Sequence, residues 1–406
     1  MDLIIYIGRF YPQSLLNTLR EDSRGKASLS NHNFEMSILN GLCLQNDISL
    51  KCLTVPSVFS YPYNNNRFYT RKDYYKYKNT QIRSVGFCNL PVIKEIWSTI
   101  MLIVYLIRTF LQYDGDRVDI IINTPNEGLL KAVRFARIFT KKKITQTIII
   151  PDIPSMVTAM DKQNPIKAFL LKHINRRAMI EASKSDGLVL LTEAMMDFVN
   201  KPVNHIVMEG IVDVGTMDVE LKEEVAGKKI ILYTGTLRKI FGVMNLVHAF
   251  QLVHDPDAEL WICGSGDSKE AIENAAKQDS RIKFFGLVDS QTALKMQCQA
   301  IVLVNPRTSE GEYTKYSFPS KTMEYLLSGK STIINRLPGI PDEYYDFVYT
   351  PKDESVAALT ECILRVLNMD SETRRKRAKR GREFIISQKN SKKQTKRILD
   401  MINQYK

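Results

Sequence analysis

The residues best equipped for chemistry crowd into "NPRTSEGEYTKYSFPSKTMEYLLSGK", residues 305–330. Arg307 can grip a phosphate through two parallel N–H groups, and Lys321 supplies a point charge of the same sign. Glu324 stands one turn beyond Lys321 on the same helix face, where its carboxylate can accept hydrogen bonds from ribose hydroxyls. Pro319 reads as the first helical position, with Ser317 or Phe318 near the cap and Gly329 closing the helix. The amides around Phe318, Pro319 and Ser320 therefore open into the loop, and a helix start with a lysine beside it is a cradle for phosphate oxygens.

Three further turns repeat the pattern of an apolar strand ending in glycine. In "YTGTLRKIFG" (233–242), Gly235 permits close approach of a ligand, Arg238 and Lys239 add positive charge, and a helix begins near Gly242. In "ICGSGD" (262–267), Gly264 precedes a helix for which Asp267 or Ser268 is the expected cap. In "FFGLV" (284–288), the backbone of Gly286 and Leu287 can meet a flat base. The amino-terminal half is less explicit. Gly8 follows the first strand, and the polar segment 9–33 carries His32, readable as a contact on the acceptor or donor side or as a loop cap. In "IIIPDIPSM", Asp152 sits between two prolines just after a strand, rigidly enough to serve as a base toward a hydroxyl.

These turns need strands and helices to aim them. Strand-like runs fall at 3–8, 47–55, 118–124, 143–152 and 186–192, with helical period at 28–44, 91–112, 126–140 and 165–183 between them. The alternation restarts after about residue 215, with strands at 229–235, 258–264, 282–286, 300–305, 331–335 and 347–350. Helical runs at 242–254, 268–278, 289–298 and 319–328 separate these strands. Alternation of this kind predicts an α/β chain with two doubly wound, mostly parallel sheets facing across a cleft, ligands lying beyond the carboxyl ends of the strands. At 406 residues the chain is also longer than one core usually serves.

The ordered series "YTGTL…G…AF", "AELWICGSGD", "IKFFGLV", "LVNPR" and "FPSKTMEYLLSGK" resembles the donor-binding half of glycosyltransferase family 4, of GT-B architecture. The likeness is nearest to bacterial enzymes of capsule and exopolysaccharide biosynthesis. It implies a nucleotide-sugar donor, UDP- or GDP-linked, no cofactor and no essential metal. It also implies transfer with retention to a saccharide acceptor, free or on a polyprenyl diphosphate. The domains become 1–210 for acceptor, 211–370 for donor, and 371–406 as basic helices packing back on the first domain. Lys321 matches the family's loop lysine and Glu324 the second glutamate of its Glu-x7-Glu signature. Tyr316 occupies the place of the first glutamate, leaving the sugar contact to Glu310, to Glu312 or to the backbone around Phe318. Thr236 and Phe241 stand where many members carry an arginine and a lysine, with Arg238 and Lys239 as substitutes within the loop. Two other readings remain at this stage: a nucleotide-sugar epimerase of the same architecture, and an inactive sugar-nucleotide-binding partner protein.

Composition sets outer bounds. Apolar residues at 44% and charged residues at 25% fit a folded chain, against disorder or a repeat array. Six scattered cysteines read as buried thiols of a cytoplasmic protein, and the apolar run at the amino terminus is too short for a signal peptide. A formal charge of +13 points to anionic partners. Segment 95–111 reads as a buried or interface-lying helix rather than a span, and the basic-apolar segment 164–184 as a face able to rest on a membrane. The expectation is peripheral attachment to the cytoplasmic leaflet without nucleic acid, since no aromatic-basic module appears. The tyrosine-rich 64–79 reads as a mobile loop on the acceptor side.

Overall fold

Runs of branched apolar residues broken by glycine, proline or asparagine form central strands here, because a parallel sheet covered on both faces buries every side chain of its inner strands. The computed structural model describes residues 2–12, 15–16, 29–61, 67–69, 74–153, 165–216 and 227–404. By contacts the chain divides into Met1–Asp213 with Asn390–Lys406, and Val214–Lys389.

The first unit is built on β1 (Asp2–Gly8), β2 (Ile48–Thr54), β3 (Phe68–Tyr69), β4 (Tyr74–Tyr77), β5 (Thr80–Ser84), β6 (Phe87–Cys88), β7 (Arg117–Asn123), β8 (Lys143–Ile150), β9 (Gly187–Leu190) and β10 (Asn204–Val207). Eight of them form one sheet in the order β10-β9-β8-β7-β1-β2-β5-β4, and β3 pairs with β6. The sheet is parallel but for β4, which runs against β5. Its helices are α1 (Leu29–Cys43), α2 (Ile93–Gln112), α3 (Glu127–Arg137) and α4 (Pro165–Ala182), with α11 (Ser391–Asn403) returning from the carboxyl end. α11 packs on α1, whereas α2, α3 and α4 touch in succession. Right-handed crossovers that run both ways from β1 place these two groups on opposite faces of the sheet.

The second unit holds β11 (Lys229–Thr234), β12 (Ala258–Cys263), β13 (Ile282–Gly286), β14 (Val302–Asn305) and β15 (Ser331–Ile334), all parallel, in the order β13-β12-β11-β14-β15. Between and after them lie α5 (Val243–Gln251), α6 (Lys269–Gln278), α7 (Ser290–Gln299), α8 (Ser320–Leu327), α9 (Val356–Leu367) and α10 (Ser371–Gln388). The order reverses between β11 and β14, and in open α/β sheets ligands lie beyond the carboxyl edge of the strands at such a reversal.

Three expectations change. Within 64–79, residues 68–69 and 74–77 are strands rather than loop, while 64–66 and 70–73 lie outside the described residues. Tyrosine suits a pleated edge, and β4 closes a hairpin on β5. The run 347–350 contributes only one bridge, Tyr349 to Ile333. The basic tail is shared: α10 lies against α8 in the second unit, and α11 belongs to the first.

Candidate functional site

In the second unit the turns after β11, β12 and β13 interlock through their glycines. Gly235 N donates to the Cys263 carbonyl at 3.0 Å and Gly264 N to the Gly286 carbonyl at 2.7 Å. Gly264 has φ +146°, and a Cβ there would collide with the carbonyl oxygen of Gly235, so only glycine allows the two turns this approach. Leu237 is buried, donating from its N to Ser265 O at 2.9 Å and accepting from Ser268 N at 2.9 Å. Of the two expected caps for α6, Ser268 occupies the cap position without a side-chain capping bond, and Asp267 accepts from Lys239 N at 2.8 Å. The loop 235–242 is thus laced to 264–268, leaving Arg238 half-buried and Lys239 exposed. No side chain caps α5, which starts at the left-handed Gly242. Beyond β13, Leu287 is 80% exposed and the space around Gly286 is open, as a base platform requires.

The loop after β14 departs most from its sequence reading. Arg307 is buried rather than presented at the surface: its Nη2 donates to Ser317 Oγ at 3.0 Å, and its guanidinium lies 4.6 Å from the Tyr313 ring centre and 5.3 Å from that of Phe241. Flat, delocalised and weakly hydrated, arginine can occupy such an aromatic slot, where it ties loop 307–317 to loop 235–242. Tyr313 OH reinforces the tie by donating to Ile240 O at 3.1 Å. Asn335 Nδ2, donating to Arg307 O at 3.0 Å, holds the loop from β15. Tyr316 is buried, and Phe318 packs 5.2 Å from Tyr344, so neither ring is displayed. Glu310 and Glu312 are exposed on the loop, Glu312 opening a short 3-10 turn.

Pro319 is the cap residue of α8 rather than its first helical position, and no side chain caps the helix. Ser320 is exposed. Lys321 Nζ and Glu324 Oε2 meet at 2.5 Å, each about a third exposed, so the pair forms a ready-made polar edge at the helix start. Tyr325, overlooked in the sequence, sits beneath them fully buried. Its OH accepts from Thr234 N at 2.9 Å, pinning α8 to the end of β11. Burial pushes the phenol pKa well up. Its one sequence signal was a hydroxyl on the core-facing side of an otherwise apolar helix face.

The first unit has its own reversal of strand order, between β1 and β7. Glu35 on α1 is buried there, and a Cβ on Gly8 would collide with its Oε2. The carboxylate accepts from Arg9 N at 2.7 Å. Desolvation raises its pKa to about 7 against the opposing pull of Arg9 and Asn123. Thr124, next in the chain, holds a left-handed φ of 77° that non-glycine residues rarely adopt. Glu35 was not singled out in the sequence, where a glutamate between Phe34 and Met36 in an apolar helix was its signal. His32 Nδ1 accepts from Tyr11 N at 3.3 Å, and its ring lies 5.7 Å from that of Tyr11. Asp152 is exposed in the bend after β8, next to the buried Ile153.

Residues 228–369, within the second unit, match the family described as Glycosyl transferases group 1. No curated protein sequence matches the chain. Among solved structures, a variant of S. aureus TarM in complex with fondaparinux, alpha-GlcNAc-glycerol and UDP is similar at a TM-score of 0.54 and 16% identity. That similarity covers 79% of this chain but 60% of TarM, so the chain spans less than two thirds of that protein. The lipopolysaccharide outer core galactosyltransferase WaaB, in its apo form, is similar over all of both chains at a TM-score of 0.62 and 14% identity. HepE from Anabaena in complex with UDP is likewise similar over all of both chains, at 0.62 and 11%. At such identities the likeness is one of fold: the chain has the GT-B fold, with two Rossmann-like units.

Proposed function

We propose that this chain is a glycosyltransferase using a nucleoside-diphosphate sugar, UDP- or GDP-linked, as donor. The observation that carries the reading is the reversal of strand order between β11 and β14, where two tied loops bring the uncapped starts of α5 and α8 to one strand edge, with Lys321 on α8 and Arg238 and Lys239 in the loop before α5. Helix starts and cations directed at a leaving diphosphate stabilise the charge that develops as the glycosidic bond breaks, the largest service such a transfer needs. Ribose would take the place of Lys321 as partner of Glu324, freeing the lysine for phosphate. The base would lie against Gly286 and Leu287, and Arg307 would act as the clamp that shapes the loop. The match of this unit to glycosyltransferases supports the reading.

The finer reading follows the family resemblance. The group transferred would be a hexose, with retention at the anomeric carbon and without metal. The acceptor would be a saccharide, free or on a polyprenyl diphosphate, held by the first unit near His32 and Asp152, with Gly8 on the donor side. The setting would be surface polysaccharide assembly at the cytoplasmic face of a membrane. Asp152 or Glu312 would orient the reacting hydroxyls, and the leaving phosphate could itself take the acceptor proton. One observation favours a second reading, binding without turnover: buried Tyr316 offers no carboxylate where the signature has one. Donor consumption measured with and without a saccharide acceptor separates the two. A transferase releases nucleoside diphosphate in an acceptor-dependent manner; nucleotide binding with no release under any acceptor would leave the binding reading.

A further inference from the structure

α2 is a 20-residue helix with apolar side chains on both its faces. Leu102, Leu106 and Phe110 face the core as expected, but Ile96, Trp97, Ile100 and Leu111 are 55%, 49%, 54% and 74% exposed. Glu95 and Arg108 are its only exposed charges. A solvent-facing apolar stripe of this length is a surface awaiting an occupant. It continues onto the neighbouring helices of the same layer: Leu111 and Phe139 line one shallow hollow with Lys141 and Lys142, and Phe169 is exposed on α4. The flanks are basic. Lys131, Arg134, Arg137 and Arg177 are paired with Glu127, Glu181 and Asp186, while Lys141, Lys143, Lys172 and Arg176 are exposed beside them.

We propose that the α2–α3–α4 layer of the first unit docks onto an anionic lipid leaflet, the apolar stripe of α2 entering the interface and the exposed lysines that follow α3, with Lys172 and Arg176 of α4, meeting acidic headgroups. An apolar stripe beside a basic rim is the composition of a helix lying in the membrane plane. Trp97 has the amphipathic ring that settles at headgroup depth. Among the described residues no helix is long and apolar enough to cross a membrane, which leaves docking in the plane as the mode. A second copy of the chain is the poorer occupant, because the basic flanks of two copies carrying +13 each would repel. The docking itself stands on this face alone; only its use, bringing the chain to an acceptor on a lipid, rests on the transferase reading.

Flotation of the full chain with vesicles tests it, using phosphatidylcholine alone and with phosphatidylglycerol added. Wild type should float with the anionic vesicles, and Trp97 fluorescence should shift to the blue in a Trp261→Phe background that removes the other tryptophan. The double substitution Ile96→Glu with Ile100→Glu replaces exposed side chains, so the thermal midpoint should hold while binding falls about tenfold or more. Lys141→Glu with Lys143→Glu should weaken binding to the anionic vesicles alone. Absence of flotation with either vesicle, undiminished binding by Ile96→Glu/Ile100→Glu, or a wild-type dimer that this variant turns into a monomer would each overturn the proposal. Transfer to a water-soluble acceptor should be unchanged in Ile96→Glu/Ile100→Glu, so a failure of docking and a failure of the transferase reading give different results.

Discussion

At the scale of single residues, the polar groups divide into those that bind and those that build. Lys321 and Glu324 pair with each other at the helix start, in a geometry that by itself stabilises little: exposed pairs one turn apart contribute about 0.5 kcal/mol or less. Glu324→Ala should therefore leave the unfolding midpoint nearly unchanged while cutting kcat/KM for donor by about tenfold or more, the loss of a charge-assisted hydrogen bond. An unchanged kcat/KM would assign the pair to the fold alone. Glu35 makes the opposite case, a buried acid whose ordinary pKa of 4.5 rises to about 7 because burial disfavours its charge. With the folded value above the unfolded one, its contribution is complete below pH 4.5 and is lost as pH rises through 7. Relative to Glu35→Gln, wild type should lose about 3 kcal/mol across that window, read from urea unfolding at a series of pH values. A difference between the two that stays flat with pH would mean that Glu35 is ionised throughout. Sequence pointed to Lys321 and Glu324 because a helix start was visible around them, but it could not tell that Arg307 turns inward. That depends on aromatic partners, Phe241 and Tyr313, brought to it by different loops.

At the scale of elements, the strand-end glycines shape the interlocking turns after β11, β12 and β13, and they do so for different reasons. Gly264 is fixed by both φ and contact, and Gly286, at φ +66°, by φ alone with open space around it. Gly264→Ala should cost about 3 kcal/mol or more, whereas Gly286→Ala should cost about 1–2 kcal/mol. Equal and small losses measured by chemical unfolding would mean that the turns after β11 and β12 tolerate separation. The helices and central strands were legible in the sequence because burial on a parallel sheet imposes apolar runs of strand length between segments of helical period. Less legible were the elements that answer to tertiary neighbours. β4 is an edge strand made of tyrosines and a lysine, and its pairing with β5 depends on a turn rather than on an apolar run. α2 drew attention as apolar, but which of its faces would point outward is decided by where α3 packs.

At the scale of the molecule, the basic tail shows why net charge is a poor guide until each cation is placed. Arg374 in α10 donates to the carbonyl of Met369, close to the end of α9, where a cation suits the helix dipole. Arg377 and Arg380 lie over the rings of Tyr349 and Phe347, and Arg382 donates to Leu327 O. Much of that arginine run is therefore spent within the second unit. α11 meanwhile joins the first unit through Ser391 N to Val212 O at 2.9 Å and Gln394 Nε2 to Gly210 O at 2.8 Å. Everything functional depends on the carboxyl edge of β11 and β14 holding a nucleoside diphosphate. Titration calorimetry of UDP and of GDP into the full chain, in EDTA, addresses it most directly, with Lys321→Ala as the paired variant. One of the two should bind saturably without metal, and Lys321→Ala should weaken it by about tenfold or more. Absence of binding by both, or equal affinity in Lys321→Ala, would contradict such a site.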